Sequence, residues 1–188
     1  MGERDRGVSG VRRAVFLDRD GVLTRPVVID GRPRAPWSLD EFEVLPEALD
    51  ALPDLKRAGF QLIVVTNQPD VARGWLEREV VETMHKRLME LLPLDEIQTC
   101  FEIDQPRSRC YKPAPGMLFD AARSRAVDLS ASYMVGDRWR DVGAGHAAGC
   151  TTIFIDYGYA ERRPDTPDYV VESVKQASDL ILRLTKDG

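Results

Sequence analysis

Short apolar runs that break off into polar clusters constrain this chain most. Arg13–Leu17 reads Arg-Ala-Val-Phe-Leu and stops at Asp18-Arg19-Asp20-Gly21. A run that short and apolar on both faces suits a strand buried in a parallel sheet. Gln61–Val65 repeats the pattern and stops at Thr66-Asn67-Gln68, and Ser132–Val135 stops at Gly136-Asp137. Ile97–Phe101 and Thr151–Ile155 are further candidate strands, and Tyr169–Val171 a candidate edge strand. Helical segments alternate with them. Pro46–Ala58 has Pro in its first turn, apolar Ala48, Leu49, Leu52 and Leu55, and Gly59 as its stop. Leu76–Leu92, Pro115–Ala126, Val142–Ala148 and Val174–Leu184 complete the set. Residues 25–40 carry Pro26, Pro33 and Pro36 with Gly31 and read as a long loop.

Strand alternating with helix predicts an α/β fold: a doubly wound, Rossmann-like parallel sheet in a three-layer α/β/α sandwich. A single domain is expected over residues 11–188, behind a charged, loose arm at 1–10. Ligands of such sheets sit beyond the carboxyl ends of the strands. Asp18 and Asp20, Thr66 and Asn67, and Asp137 all fall there.

Composition removes several classes. With 26 Lys+Arg against 31 Asp+Glu the net charge is −5, the wrong sign for general nucleic-acid binding. No apolar run approaches the roughly 18 residues of a membrane span, and Met1–Arg6 lacks the apolar stretch of a secretory signal. Three Cys, an odd number, argue against a disulfide framework and for the reducing cytoplasm. A monomer is expected, with no membrane and no nucleic-acid partner.

Asp18-x-Asp20-Gly21 read alone is first an Asp-Gly turn at a strand end. It also offers a nucleophilic carboxylate with a proton carrier beside it. A phosphate monoester brings two negative charges to such a nucleophile. A hard divalent cation held by carboxylates cancels that repulsion, and Mg²⁺ prefers oxygen ligands. Asp137 and Asp141, four apart, share one side of the chain if a helix starts between them. Asp137 read alone is equally a helix cap, and Lys112 a surface lysine.

Together these elements resemble the haloacid-dehalogenase superfamily of phosphohydrolases. The signatures stand in order: Asp18-Arg19-Asp20-Gly21, Thr66-Asn67, Lys112-Pro113, and Gly136-Asp137 with Asp141. More closely, the chain is similar to the group holding heptose bisphosphate and histidinol-phosphate phosphatases. The matching stretches are 16–23, 64–68 with 72–74, 112–117, and 134–138 with 147–150, within a resemblance running from about 13 to 157. The resemblance implies Asp18 as nucleophile and Mg²⁺ ligand, and Asp20 as general acid/base with its backbone carbonyl on the metal. It implies Thr66 holding the transferring phosphoryl group, Lys112 neutralising it, and Asp137 as the second metal carboxylate with Asp141 in support. Asn67, Gln68, Arg73, Arg107, Arg109, Tyr111 and Arg138 are the candidate substrate-binding residues. No large cap domain is expected, so loops at 25–40 and 100–111 would grip the substrate.

Two departures stand out. Members of the group often carry structural zinc in the loop before the lysine. Here Cys100 and Cys110 remain, while Glu102 and Ser108 replace the other usual ligands. Structural zinc strongly prefers four Cys or His ligands, so none is expected. Cys100 then reads as a small buried hydrophobe and Cys150 as core. The residue before the lysine is usually Arg in the group and is Tyr111 here, leaving Arg107 or Arg109 to meet any second phosphate. His85 and His146 read as structural, and Trp139 as packing. The expected function is hydrolysis of a phosphorylated sugar, heptose 1,7-bisphosphate at its 7-phosphate first. The alternatives are a histidinol-phosphate or other sugar-phosphate phosphatase, a nucleic-acid 3′-phosphatase, and a non-catalytic binding protein of the same fold.

Overall fold

The computed structural model describes residues 12–186; the arm expected at 1–10 lies outside them. In chain order the elements are β1 (Ala14–Leu17), β2 (Val27–Ile29), β3 (Arg32–Arg34), α1 (Pro46–Arg57), β4 (Gln61–Asn67), α2 (Pro69–Ala72), α3 (Arg78–Leu91), β5 (Glu96–Cys100), α4 (Gly116–Arg125), β6 (Tyr133–Gly136), α5 (Trp139–Ala148), β7 (Thr151–Ile155), β8 (Tyr169–Val171) and α6 (Val174–Lys186). Six strands form one parallel sheet in the order β5-β4-β1-β6-β7-β8.

The apolar run of β1 is buried on both faces. Val15 and Leu17 enter one core with Leu52 and Leu55 of α1, Met84 and Leu88 of α3, and Ile181 of α6. Ala14 and Phe16 enter the other with Met117 and Leu118 of α4 and Ala144 of α5. This is the period of two along a strand sandwiched between helical layers. Phe16 is in register with Ile63 on one side and Met134 on the other, so β1 is central. From β1 the chain builds outward through β4 and β5, then returns across β1 to build β6, β7 and β8. The strand order therefore reverses beside β1, where open α/β sheets leave a crevice at the carboxyl ends.

Residues 25–40 differ from the loop expected there. β2 and β3 form an antiparallel hairpin, Val28 opposite Pro33. The turn between them is Asp30-Gly31, with φ of 50° and 73°. Two positive φ values in a two-residue connection match the type I′ turn, for which Asp-Gly is a strong signal. Pro33 is tolerated in β3 because this pair has no third strand to satisfy. Gly31 O accepts from Ala160 N at 2.8 Å, which pins the hairpin to the segment after β7. α5 starts at Trp139, three residues before the expected start, because Asp141 caps it by accepting from Arg138 N at 3.0 Å. Asp137 is therefore not the cap. α2, a single turn after Gln68, carries too few residues to show periodicity. Among the described residues no helix is long and apolar enough to cross a membrane.

Candidate active site

β1 delivers Asp18 to the crevice, with its backbone N donating to Val135 O of β6 at 3.0 Å. Lys112 arrives from the loop before α4 and is 2% exposed. Its three ammonium protons are all placed: Asp18 Oδ1 at 2.8 Å, Val65 O at 2.7 Å and Asp141 Oδ1 at 2.6 Å. Burial opposes that charge, but Asp141 and Asp18 hold the ammonium above its ordinary pKa. Asn67 fixes the Lys112 backbone from both sides, accepting from Lys112 N at 3.0 Å and donating to Lys112 O at 3.2 Å. Burial pushes the Asp18 carboxyl up to about 6 against the pull of Lys112.

Asp137 closes the centre from β6. It is 2% exposed, and neither carboxylate oxygen has a hydrogen-bond partner among the described residues. Burial, then Asp18 and Asp141, push its pKa well above the usual carboxylate range. A buried carboxylate without donors is costly. Ligand oxygens of Asp18, Asp137 and Asp141 lie within 4.8 Å of one another. Hard carboxylate oxygens packed that closely, those of Asp137 without a partner, fit a hard divalent cation. Gly21, at φ 89°, lets the chain turn past this point, and a Cβ there would lie 1.9 Å from Asp137 Oδ2.

Asp20 is held differently. Its carboxylate accepts from Arg19 Nε at 3.0 Å and Arg19 Nη2 at 2.8 Å. Thr24 Oγ1 donates to it at 2.9 Å and Gln68 Nε2 at 3.1 Å. Burial raises its pKa, yet Arg19 and these donors bring it below the ordinary value. Gln68 Nε2 also donates to Thr66 Oγ1 at 2.9 Å, tying Thr66 to Asp20.

The cleft above these groups has a volume of about 330 Å³, and Arg34, Arg73, Arg138 and Arg140 line it. Each pairs with a carboxylate: Glu41, Asp70, Glu161 and Asp104 respectively. Asp70, just after the β4 signature, is buried and also accepts from Trp37 Nε1 at 2.8 Å. Its charge is thus taken up by Arg73 and by the segment after the β2–β3 hairpin.

A carboxylate beside a fixed ammonium, a cation-binding carboxylate and a second carboxylate in a donor-rich setting are the parts a phosphoryl transfer needs. A heptose-1,7-bisphosphate 7-phosphatase of Thermosynechococcus vestitus is 32% identical over 193 residues, covering 90% of this chain and 95% of that protein. The chain belongs to the haloacid-dehalogenase-like hydrolase family. A family model described as HAD-hydrolase-like matches residues 109–177. The heptose-1,7-bisphosphate 7-phosphatase of Escherichia coli K12 is 34% identical over 187 residues, covering 93% of this chain and 90% of that one. A crystal structure of a D,D-heptose 1,7-bisphosphate phosphatase from B. bronchiseptica, complexed with magnesium and phosphate, superposes with a TM-score of 0.74 at 28% identity, over 92% of this chain and 99% of that one. The protein is a phosphoric monoester hydrolase.

Within this family frame, the structure gathers most of the residues that the sequence singled out. Asp20, Asn67, Arg73, Tyr111, Lys112, Asp137, Arg138 and Asp141 line the cleft. Thr66 and Gln68 lie buried beneath it. Arg107 and Arg109 are exposed and are not among the lining residues. Tyr111 lies under Arg140, whose guanidinium is 5.6 Å from the ring centroid. Trp139 packs between Arg140 and Arg162. His146 meets Thr152 Oγ1 at 3.0 Å, and Cys150 is a buried free thiol with its pKa pushed up to about 12 by burial.

The cysteine reading needs correcting. Cys100 and Cys110 form a disulfide, with Cα atoms 5.5 Å apart, at the neck of the 101–109 loop. An odd count excludes a complete framework of bridges but not one bridge. Ligand atoms of Cys100, Glu102 and Cys110 lie within 4.8 Å of one another, and Ser108 Oγ sits 3.8 Å from Cys110 Sγ. Arg34, Asp104 and Arg140 also line the cleft and are not among the candidate residues. Arg34 and Asp104 lie in the two loops expected to grip the substrate, and Arg140 lies between Asp137 and Asp141 within their signature.

Proposed function

We propose that this hydrolase removes the 7-phosphate of D-glycero-D-manno-heptose 1,7-bisphosphate with Mg²⁺ as its cofactor. The observation that carries the chemistry is Asp18 held between the Lys112 ammonium and the partnerless Asp137 carboxylate. The substrate comes from the curated relatives, heptose-1,7-bisphosphate 7-phosphatases that match over most of their length. Asp18, Asp137 and the backbone carbonyl of Asp20 would hold Mg²⁺, with Asp141 in support. Bound there, the ion supplies the positive charge that lets a carboxylate approach a phosphate dianion. Asp18 attacks phosphorus, the ester P–O bond breaks, and the protonated form of Asp20 gives its proton to the leaving oxygen. Water then attacks the aspartyl phosphate, Asp20 takes the water's proton, and Asp18 is restored. Lys112 and Thr66 hold the phosphoryl oxygens. Asp141 acts twice, orienting Lys112 and capping α5.

The far end of the substrate meets Tyr111, Arg73 and Arg138, with Asn67 and Gln68 shaping the floor. Arg107 and Arg109 receive no role, since neither lines the cleft. The enzyme would work as a monomer in the cytoplasm, where Cys100 and Cys110 would stand as thiols. A second reading, a sugar or histidinol monophosphate as substrate, draws on one observation. No lining arginine is free, because each already holds a carboxylate. Phosphate release from heptose 1,7-bisphosphate and from histidinol phosphate, each with Mg²⁺ and with EDTA, decides between them. The first reading expects a kcat/KM at least 100-fold higher for the bisphosphate. Equal values, or turnover in EDTA, would overturn it.

A further inference from the structure

We propose that His85 is a positioning residue for the reaction, orienting the Asp20 carboxylate through Arg19. Arg19 stands between the two motif aspartates and is 0% exposed. Its Nε and Nη2 form a fork on the two oxygens of Asp20, at 3.0 and 2.8 Å. Its third corner, Nη1, lies 3.1 Å from His85 Nε2. A guanidinium has donors and no acceptor, so His85 Nε2 must accept. The imidazole is then neutral, with its proton on Nδ1. Burial and the neighbouring Arg19 push the His85 pKa down to about 4, which keeps it an acceptor through the working range.

The geometry makes this more than a filled space. The guanidinium is planar and rigid, so fixing one corner fixes the other two. His85 sits on α3 next to Met84 and three residues from Leu88, both buried in the core that also holds Leu17. α3 is therefore a rigid reference. The remaining donors on Asp20, Thr24 and Gln68, belong to the turn itself and to the end of β4. Among the described residues, the Arg19–His85 contact is the one that ties the Asp20 carboxylate to the long core helix α3. Its loss leaves a buried N–H without a partner and frees the fork to tilt.

This inference rests on the general-acid role proposed for Asp20. In the first step the electron pair of the breaking P–O bond stays on the leaving oxygen, which takes the Asp20 proton. A sugar alkoxide needs that proton. p-Nitrophenolate is stable without it. Because kcat/KM reports steps up to ester cleavage, misplacing Asp20 penalises the sugar phosphate selectively. Simple loss of packing would lower both substrates together.

The experiment measures kcat/KM of the Mg²⁺-loaded enzyme on heptose 1,7-bisphosphate and on p-nitrophenyl phosphate, for H85L, H85Q, H85K and D20N. H85L is expected to lose about tenfold on the sugar phosphate and less than threefold on the aryl phosphate. H85Q, which keeps an acceptor, is expected to return to within about threefold of wild type on the sugar phosphate. H85K, which faces Arg19 with a cation, is expected to lose at least as much as H85L. The Gln and Lys variants carry the comparison by themselves if H85L does not fold. Equal losses on both substrates, no loss, or equivalence of H85Q and H85K would overturn the proposal. D20N separates the two readings. A selective loss in D20N without one in H85L or H85K overturns the His85 proposal alone. An unselective D20N removes Asp20 as the acid and takes the proposal with it.

Discussion

Replacing Gly21 by Ala tests how tightly the turn after Asp20 controls the metal-side carboxylate. Two costs can be worked from the structure. The backbone cost comes from φ 89°, where a side chain meets the following carbonyl. It is about 1–2 kcal/mol for a left-handed residue, and in a chain of this size each kcal/mol lowers Tm by roughly 2–4 °C. The second cost falls on Asp137. Its Oδ2 would lie 1.9 Å from the new Cβ, so it must retreat at least 3.0 − 1.9 = 1.1 Å to reach a contact real side chains show. The carboxylate that retreats is the one proposed to hold Mg²⁺ together with Asp18. A misplacement of about 1 Å can cost on the order of 100-fold in rate. Gly21→Ala should therefore melt roughly 2–8 °C lower in EDTA. It should also lose about 100-fold in kcat/KM and bind Mg²⁺ more weakly by calorimetric titration. A variant with kcat/KM and Mg²⁺ affinity within threefold of wild type would show that the Gly21–Asp137 contact constrains neither.

Asp137→Asn should raise the metal-free melting temperature, because it removes a carboxyl whose charge is disfavoured by burial and by the neighbouring Asp18 and Asp141. It should also abolish Mg²⁺ stabilisation, about 2.7 kcal/mol at 100 times Kd. Thermal melts with and without Mg²⁺ check both halves, and an unchanged or lower metal-free Tm contradicts the first. The pH dependence of metal-free stability has a definite sign. The folded pKa of Asp18, about 6, lies above its unfolded value of 3.8, so the folded state binds more protons in that window. The contribution of Asp18 is then greatest below about 4 and declines as pH rises to about 6. The stability difference between wild type and D18N should follow that trend, and a difference that grows with pH would refute it. Purified protein should hold well under one zinc per chain, since the 100–110 loop offers at most two thiolates, Cys100 and Cys110, and none while they are joined as a disulfide. Stoichiometric zinc by elemental analysis, lost in Cys110→Ala, would reverse that conclusion.

The parallel sheet was legible because its strands are buried on both faces, so Ala14–Leu17 and Gln61–Val65 appear as unbroken apolar runs. The site was legible because chemistry and topology coincide: Asp18 and Asp137 follow strands and Thr66 stands at the end of one, all on one edge. What escaped notice has physical reasons. The β2–β3 hairpin lies on the surface, where its prolines masked the Asp30-Gly31 turn signal. The early start of α5 depends on Asp141 reaching back to Arg138 N, a contact that no hydrophobic period encodes. Arg107 and Arg109 are close to Lys112 in sequence, which is the ground for expecting them at the substrate. Both are exposed and outside the cleft lining, to which the same loop contributes Asp104, while Arg34, Arg73 and Arg140 reach the cleft from other elements. The Cys100–Cys110 pairing depends on the path of the loop between them, which residue spacing leaves open. The link from His85 to Arg19 spans 66 positions and joins a helix to a turn, so only the folded chain displays it.

In the proposed reaction Asp18 transfers the phosphoryl group from the 7-position of heptose 1,7-bisphosphate to water with Mg²⁺ bound. The most direct measurement is ³¹P NMR of that bisphosphate incubated with Mg²⁺ and either wild type or D18N. Wild type should remove the 7-phosphate resonance, leave the 1-phosphate and accumulate inorganic phosphate, while D18N leaves the spectrum unchanged. Loss of the 1-phosphate instead, or a D18N variant retaining a tenth of the wild-type rate, would contradict the account.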